Sequence, residues 1–237
     1  MNKYSFNENY SYCLGMSLTV EALKHRHEYI KEVILSTKAN RNKELDYLLG
    51  LCDEYQINVT YDDHLIDKLS LKENCYCIGV FDKFYTSLEN RNHIVLYGFT
   101  DYGDLGTILR SSVSFNFKDI VLIGSDIDYF DPACVRASMG SLFHVNIERF
   151  SSIETYLNEY PDQNLYPFLS EGNIELRDIS LKEPYSIVIS EKYDALDEIF
   201  DEGYYLKHNE LDEISLSIRS SIILSRIYHQ TLNGRNI

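Results

Sequence analysis

Between residues 94 and 147, short apolar runs alternate with helical spacings, and that alternation leaves very few folds open. The run 94–97 is short enough for a buried strand. A turn carrying Gly103 and Gly106 follows, and Leu105, Ile108, Leu109 and Phe115 then recur at a helical spacing. Asp104 stands where it can cap that helix. Arg110 lies off the apolar stripe, so its guanidinium is expected to point away from the core. The run 120–123 gives a second buried strand. Asp131 and Pro132 open another helix, with proline at its first position, and 143–147 reads as a third strand. Strand, helix, strand, helix, strand predicts an α/β fold: a parallel sheet with helices on its faces.

The flanking sequence extends this pattern. Residues 12 to about 90 read as a first unit. A helix over 18–23 ends in Lys24, His25, Arg26 and His27. It is followed by a strand at 33–36, a helix over 44–55 with Leu45, Leu48, Leu49 and Cys52 on one stripe, and a strand at 57–61. A helical turn at 64–69 and a strand at 75–81 close the unit. That order suits a small α/β sandwich. The polar stretch 82–92 serves as a linker. Beyond the central stretch, 151–160 is expected to be a helix, 161–172 a loop and 184–189 a buried strand. A last helix over 215–229 has Leu216, Ile218, Ile222, Ile223 and Ile227 on more than one face, which fits a sandwiched helix or a subunit interface.

At 237 residues the chain suits one large domain or two small ones. No apolar run reaches the ~18 residues of a membrane helix. The start, MNKYSFNENYSYC, lacks a basic-then-apolar signal pattern, so a cytoplasmic location is expected. The five cysteines are odd in number and form no CxxC pair, which suggests buried free thiols rather than disulfides or a zinc ribbon. A net charge of −15 opposes encounter with nucleic acid unless a basic patch is concentrated locally. The densest basic group is Lys24, His25, Arg26, His27, Lys31, Lys38, Arg41 and Lys43. There is no glycine-rich GKS or GKT phosphate loop. Cys134 and His144 read as core residues, and no metal-ligand spacing stands out around His64 or His208, so no metal is expected.

The wording of the central stretch carries more than its periodicity. DYGDLGTILR (101–110) followed by VRASMGSLFH (135–144) resembles the first signature region of the SpoU/TrmH family of RNA ribose 2′-O-methyltransferases, part of the knotted SPOUT superfamily. The order of elements before residue 90 is similar to the substrate-recognition domain that many members carry, which is related to ribosomal RNA-binding proteins. The resemblance covers roughly residues 12 to 230. It implies an RNA-recognition-like α/β domain over 1–90 and a trefoil-knotted, parallel-sheet SPOUT domain over 91–237. It also implies a dimer, homodimeric or perhaps heterodimeric, S-adenosylmethionine as cofactor, and structured RNA (rRNA or tRNA) as substrate, with no membrane partner.

By that resemblance Arg110 matches the family's main catalytic residue. Asp104, which stands for a family asparagine, and Arg136 would contact substrate, with Lys24, Arg26 and Lys31 as an RNA-facing patch. The cofactor would meet Ile189, Ser190, Glu191, Tyr205, Leu206, Ile214 and Ser215. The family's Gly-Asn-Glu-like second motif has no glycine here. An ungapped match sets Lys192 on its glutamate, whereas a one-residue shift sets Glu191 there. The third motif, Ser-Leu-Asn, is Glu213-Ile214-Ser215, and small residues in the last helix are replaced by Arg219 and Ser220. Residues 183–213 carry ten acids against Lys192 and Lys207. Two functions follow: 2′-O-methylation of RNA, or a SPOUT-fold RNA-binding or interaction protein that has lost its cofactor.

Overall fold

The computed structural model describes residues 3–70, 74–89, 91–169, 172–191, 194–206 and 214–232. In chain order the elements are β1 (Tyr10–Leu14), α1 (Met16–Arg26), β2 (Ile30–Leu35), α2 (Lys43–Glu54), β3 (Asn58–Tyr61), α3 (Asp63–Leu69), β4 (Cys77–Asp82), β5 (His93–Tyr97), α4 (Tyr102–Ser114), β6 (Asp119–Ile123) and α5 (Pro132–Ala137). They continue with β7 (Asn146–Phe150), α6 (Ile153–Glu159), β8 (Asn164–Pro167), β9 (Ile174–Glu175), β10 (Tyr185–Ser190), α7 (Asp194–Asp197), β11 (Tyr204–Tyr205) and α8 (Leu216–Leu232). The chain divides into two compact units, Met1–Phe84 with Asp128–His144, and Tyr85–Ile127 with Val145–Ile237.

The first unit holds a four-stranded sheet in the order β1-β4-β2-β3, with β2 and β3 parallel and the other pairs antiparallel. Its strands bury Tyr12, Ile34, Ile78 and Val80, packed with Ile66 and Leu69 of α3. The segment 128–144 belongs to this unit, whereas a division at residue 90 leaves it in the C-terminal domain. It is held through Phe130, whose carbonyl accepts from the Ser11 hydroxyl and whose ring lies 5.1 Å from that of Phe84. The Phe143 ring meets Phe81 edge-on at 5.3 Å. Strand β1 is absent from the sequence reading, because YSYCL is short and follows a polar start.

The second unit is built on a parallel sheet in the order β7-β6-β5-β10-β8. Side chains alternate across it. Val95, Val121, Ile123 and Val188 pack on one face with Tyr156 of α6 and Leu196. Ile94, Leu96, Ile120, Leu122, Ile187 and Ile189 are buried on the other, the side left for the apolar faces of α4 and α8. Those two helices are linked by the Ser111 and Ser221 hydroxyls at 2.7 Å. The expected α/β fold with a parallel sheet is therefore present.

Three sequence expectations are corrected. The third strand is Asn146–Phe150 rather than 143–147; residues Ser141–His144 form a 3-10 turn after Gly140, whose φ of +88° is a left-handed conformation that glycine takes without strain. The expected loop 161–172 contains β8, a short edge strand ending in Pro167, and an edge is where proline is tolerated. The cap of α4 is Asp101, whose carboxylate accepts from the Asp104 amide at 2.7 Å, so Asp104 lies inside the first turn.

Candidate functional site

Strands β5, β6 and β7 step outward in one direction from β5, and β10 and β8 lie on its other side. The winding reverses between β5 and β10, and open parallel sheets bind ligands in the crevice beyond the carboxyl ends of strands at such a point. The chain leaves β5 through Gly98, at φ +70°, and Thr100, then enters α4 at Asp101. It leaves β10 through Ser190 into Glu191. The Glu191 carboxylate accepts from the Thr100 amide at 2.7 Å and from its hydroxyl at 2.9 and 3.0 Å, tying the two strand ends together. The Ser190 carbonyl accepts from the Arg219 guanidinium of α8 at 2.5 Å. Arg219 is only 4% exposed, so a charged side chain is packed against the end of the strand.

A third loop reaches the same edge. The Leu169 amide donates to the Tyr204 carbonyl at 2.8 Å, and β11 pairs with β9 in parallel. Two glycines make this possible. A Cβ on Gly203 would lie 2.7 Å from the Leu169 side chain and the Pro167 carbonyl, and one on Gly172 would lie 2.6 Å from the Tyr204 backbone. Tyr205 and Leu206 emerge half-buried, as does Ile214, while Ser215 is exposed and its carbonyl accepts from the Arg219 amide. Ile189 is fully buried within β10. Lys192 and Glu213 lie outside the described residues.

Arg110 is exposed on α4, as its position off the apolar stripe requires, and carries no ion pair among the described residues. Asp104 is half-buried in the same helix. Arg136 lies on α5 in the first unit, with Lys24, Arg26 and Lys31, so the expected substrate contacts are divided between the two units. The basic group there is mostly paired. Lys24 meets Glu21 at 2.8 Å, Lys31 meets Asp82 at 3.0 Å and Arg41 meets Asp46 at 2.9 Å. The Arg26 guanidinium lies 5.2 Å from the Phe84 ring centre, and its buried Nε has no hydrogen-bond partner among the described residues.

The opposite edge of the parallel sheet holds buried polar groups absent from the sequence reading. His93 Nδ1 lies 2.7 Å from the Tyr156 hydroxyl and Nε2 lies 2.7 Å from the Glu89 carbonyl. Burial pushes the His93 pKa down, which favours the neutral ring. Tyr156 also lies 2.6 Å from the Ser186 hydroxyl, which donates to Gln163 at 2.8 Å. Beside them the fully buried Asp119 accepts from Arg91 and from Asn146. Such satisfied groups at strand starts fix register, and they lie at the end of the sheet away from the crevice.

None of the five cysteines is in a disulfide, and four of them are buried. Burial pushes Cys52 up to about 11 and Cys77 up to about 12, so neither is a ready nucleophile.

The fold and its crevice define a SPOUT-fold α/β protein. Residues 91–192 match the model of the SpoU rRNA Methylase family. Among solved structures, the SpoU methyltransferase AviRb from Streptomyces viridochromogenes is similar at TM-score 0.80 and 16% identity, over 95% of this chain and 91% of that one. An rRNA methyltransferase from Sinorhizobium meliloti is similar at TM-score 0.73 and 21% identity, over 94% and 88%. A putative RNA methyltransferase of the TrmH family from Porphyromonas gingivalis is similar at 0.70 and 19%, over 92% and 89%. At these identities the likeness shows the fold. A search of curated protein sequences finds no match.

Proposed function

We propose that the chain methylates a ribose 2′-oxygen of rRNA or tRNA with S-adenosylmethionine as donor. The observation that carries this reading is Arg110, which the family motif marks and which α4 presents to solvent just after the crevice strand β5. When bound, S-adenosylmethionine supplies a sulfonium-activated methyl group. A guanidinium stays charged at neutral pH and is no general base. Arg110 instead grips the phosphate beside the reacting ribose through paired N–H donors and stabilises the charge that grows on the 2′-oxygen as its proton leaves to solvent. AviRb has also been solved in complex with AdoMet, and a further relative by fold is described as an RNA 2′-O ribose methyltransferase.

By the family motifs, half-buried Tyr205, Leu206 and Ile214 would supply apolar contacts to the adenosine, with Ile189, Ser190, Glu191 and Ser215 supplying backbone groups. Polar capacity there is partly spent, since Arg219 takes the Ser190 carbonyl and Glu191 takes the Thr100 amide. Those two contacts favour the second reading, a SPOUT-fold RNA-binding protein without turnover. RNA would dock through exposed Lys24, half-buried Arg26, exposed Lys31 and Arg136, all of the first unit, at the cost of the weak surface pairs described above.

Calorimetric titration with S-adenosylmethionine and S-adenosylhomocysteine separates the two readings. Saturable binding, with Arg110→Ala binding the cofactor normally and losing methyl transfer to RNA by about 100-fold or more, supports the enzyme. No heat at millimolar ligand leaves the binding protein, and unchanged transfer by Arg110→Ala removes Arg110 from the chemistry.

A further inference from the structure

Within the first unit, Glu21 and His25 stand one turn apart on α1, and His144 ends the 3-10 turn that closes segment 128–144. His144 Nε2 lies 2.9 Å from Glu21 Oε2, and His25 Nε2 lies 3.6 Å from the same oxygen. All three donor atoms fall within 4.8 Å of one another. We infer that Glu21, His25 and His144 form a binding site for one divalent transition-metal ion, with Zn²⁺ the ion that suits this donor set.

The geometry is that of a coordination shell. Metal bonds of about 2.0–2.1 Å in a tetrahedron set ligand atoms about 3.3 Å apart, and the separations of 2.9 and 3.6 Å lie on either side of that value. The two imidazoles face each other with centroids 3.7 Å apart. Glu21 offers Oε2 to both rings while Oε1 holds Lys24 at 2.8 Å, an outer partner that orients the carboxylate. Gly140 brings the turn to the helix: a Cβ there would lie 2.8 Å from Glu21 Cβ. Two imidazoles and one carboxylate select a borderline ion over Mg²⁺ or Ca²⁺, which prefer oxygen alone. Glu21 and His144 are 123 positions apart in the chain, so a bound ion would fasten segment 128–144 to α1.

The full-length protein, stripped with a chelator, is titrated with ZnCl₂ by calorimetry and followed by thermal melting. The expected result is one equivalent bound and a raised melting midpoint. His25→Ala and His144→Ala should each weaken binding at least tenfold and abolish the midpoint shift, while the exposed control His64→Ala does neither. Co²⁺ should bind in place of Zn²⁺ without a thiolate charge-transfer band, which excludes the cysteines. Should His144→Ala fail to fold, His25→Ala decides, because its side chain is exposed. Zinc binding unchanged in His25→Ala, or no uptake by the wild type at about 100 µM free ion, overturns the assignment.

Discussion

Lys83 and Asp128 are each 7% exposed and form an ion pair at 2.9 Å that fastens segment 128–144 to the end of β4. Asp128 also accepts from the Tyr4 hydroxyl and from the Phe130 amide. Removing Lys83 leaves a buried carboxylate with hydrogen bonds but no counter-charge. Lys83→Met should therefore cost about 3–5 kcal/mol in urea unfolding. Adding Asp128→Asn should recover most of that loss, and a double variant as unstable as the single one would refute the account. His93 sets a pH dependence. Its native pKa is pushed below the unfolded value near 6.5, chiefly by burial, so the unfolded chain binds the proton better. Its contribution is complete above about pH 6.5 and is lost as pH falls from there through the native pKa. His25, shifted the same way, adds a smaller part because it is exposed. Urea midpoints should fall between about pH 7 and pH 5, and His93→Gln should flatten that slope. An unchanged slope would mean the imidazole is already charged in the fold.

At the scale of elements, the caps decide where helices begin. Asp101 accepts the Asp104 amide at the start of α4, directly beyond the crevice, and Asp101→Ala should cost about 1 kcal/mol and loosen the Arg110 helix. Thermal melts and hydrogen exchange across 102–108 read both effects, and unchanged protection would assign the cap to another group. Elements with strong apolar spacing were legible in the sequence: β5, α4, β6, β10 and α8 all lie where periodicity puts them. Short or edge elements were not. β1 and β8 gain their stability from pairing with β4 and β10, partners that no local pattern names. Segment 128–144 reads as a strand-linking helix because Asp131 and Pro132 form a genuine helix start. Its membership of the first unit depends on Phe130, Phe143 and Lys83 contacts between residues far apart in sequence. The site divides the same way. Arg110 and the signature stretch can be read directly, whereas the Thr100–Glu191 and Arg219–Ser190 contacts and the tight approach at Gly203 require the sheet to exist first.

At the scale of the molecule, α8 carries apolar side chains on a second, exposed face. It buries Leu216, Ile223, Leu224 and Ile227 on one side, yet Ile218 is 57% and Ile222 40% exposed. Both line an open, largely apolar groove with Thr107 of α4 and with Ser221, Ser225 and Arg226. The spread of apolar residues over more than one face, visible in the sequence, thus resolves into one packed face and one bare one. Two adjacent isoleucines in an apolar groove mark an interaction surface, and a second copy of the chain placed there would bury them while the serines accommodate close helix approach. Ile218→Asp with Ile222→Asp should then convert a dimer to a monomer in sedimentation equilibrium and leave the single-chain fold intact, because neither side chain contributes to the core. The charges act by desolvation: each carboxylate would have to be buried without a partner for the interface to survive. If the wild type sediments as a monomer at about 50 µM, a concentration at which a micromolar dimer is mostly assembled, the groove is not a self-association surface. If the double variant remains dimeric, the copies meet elsewhere.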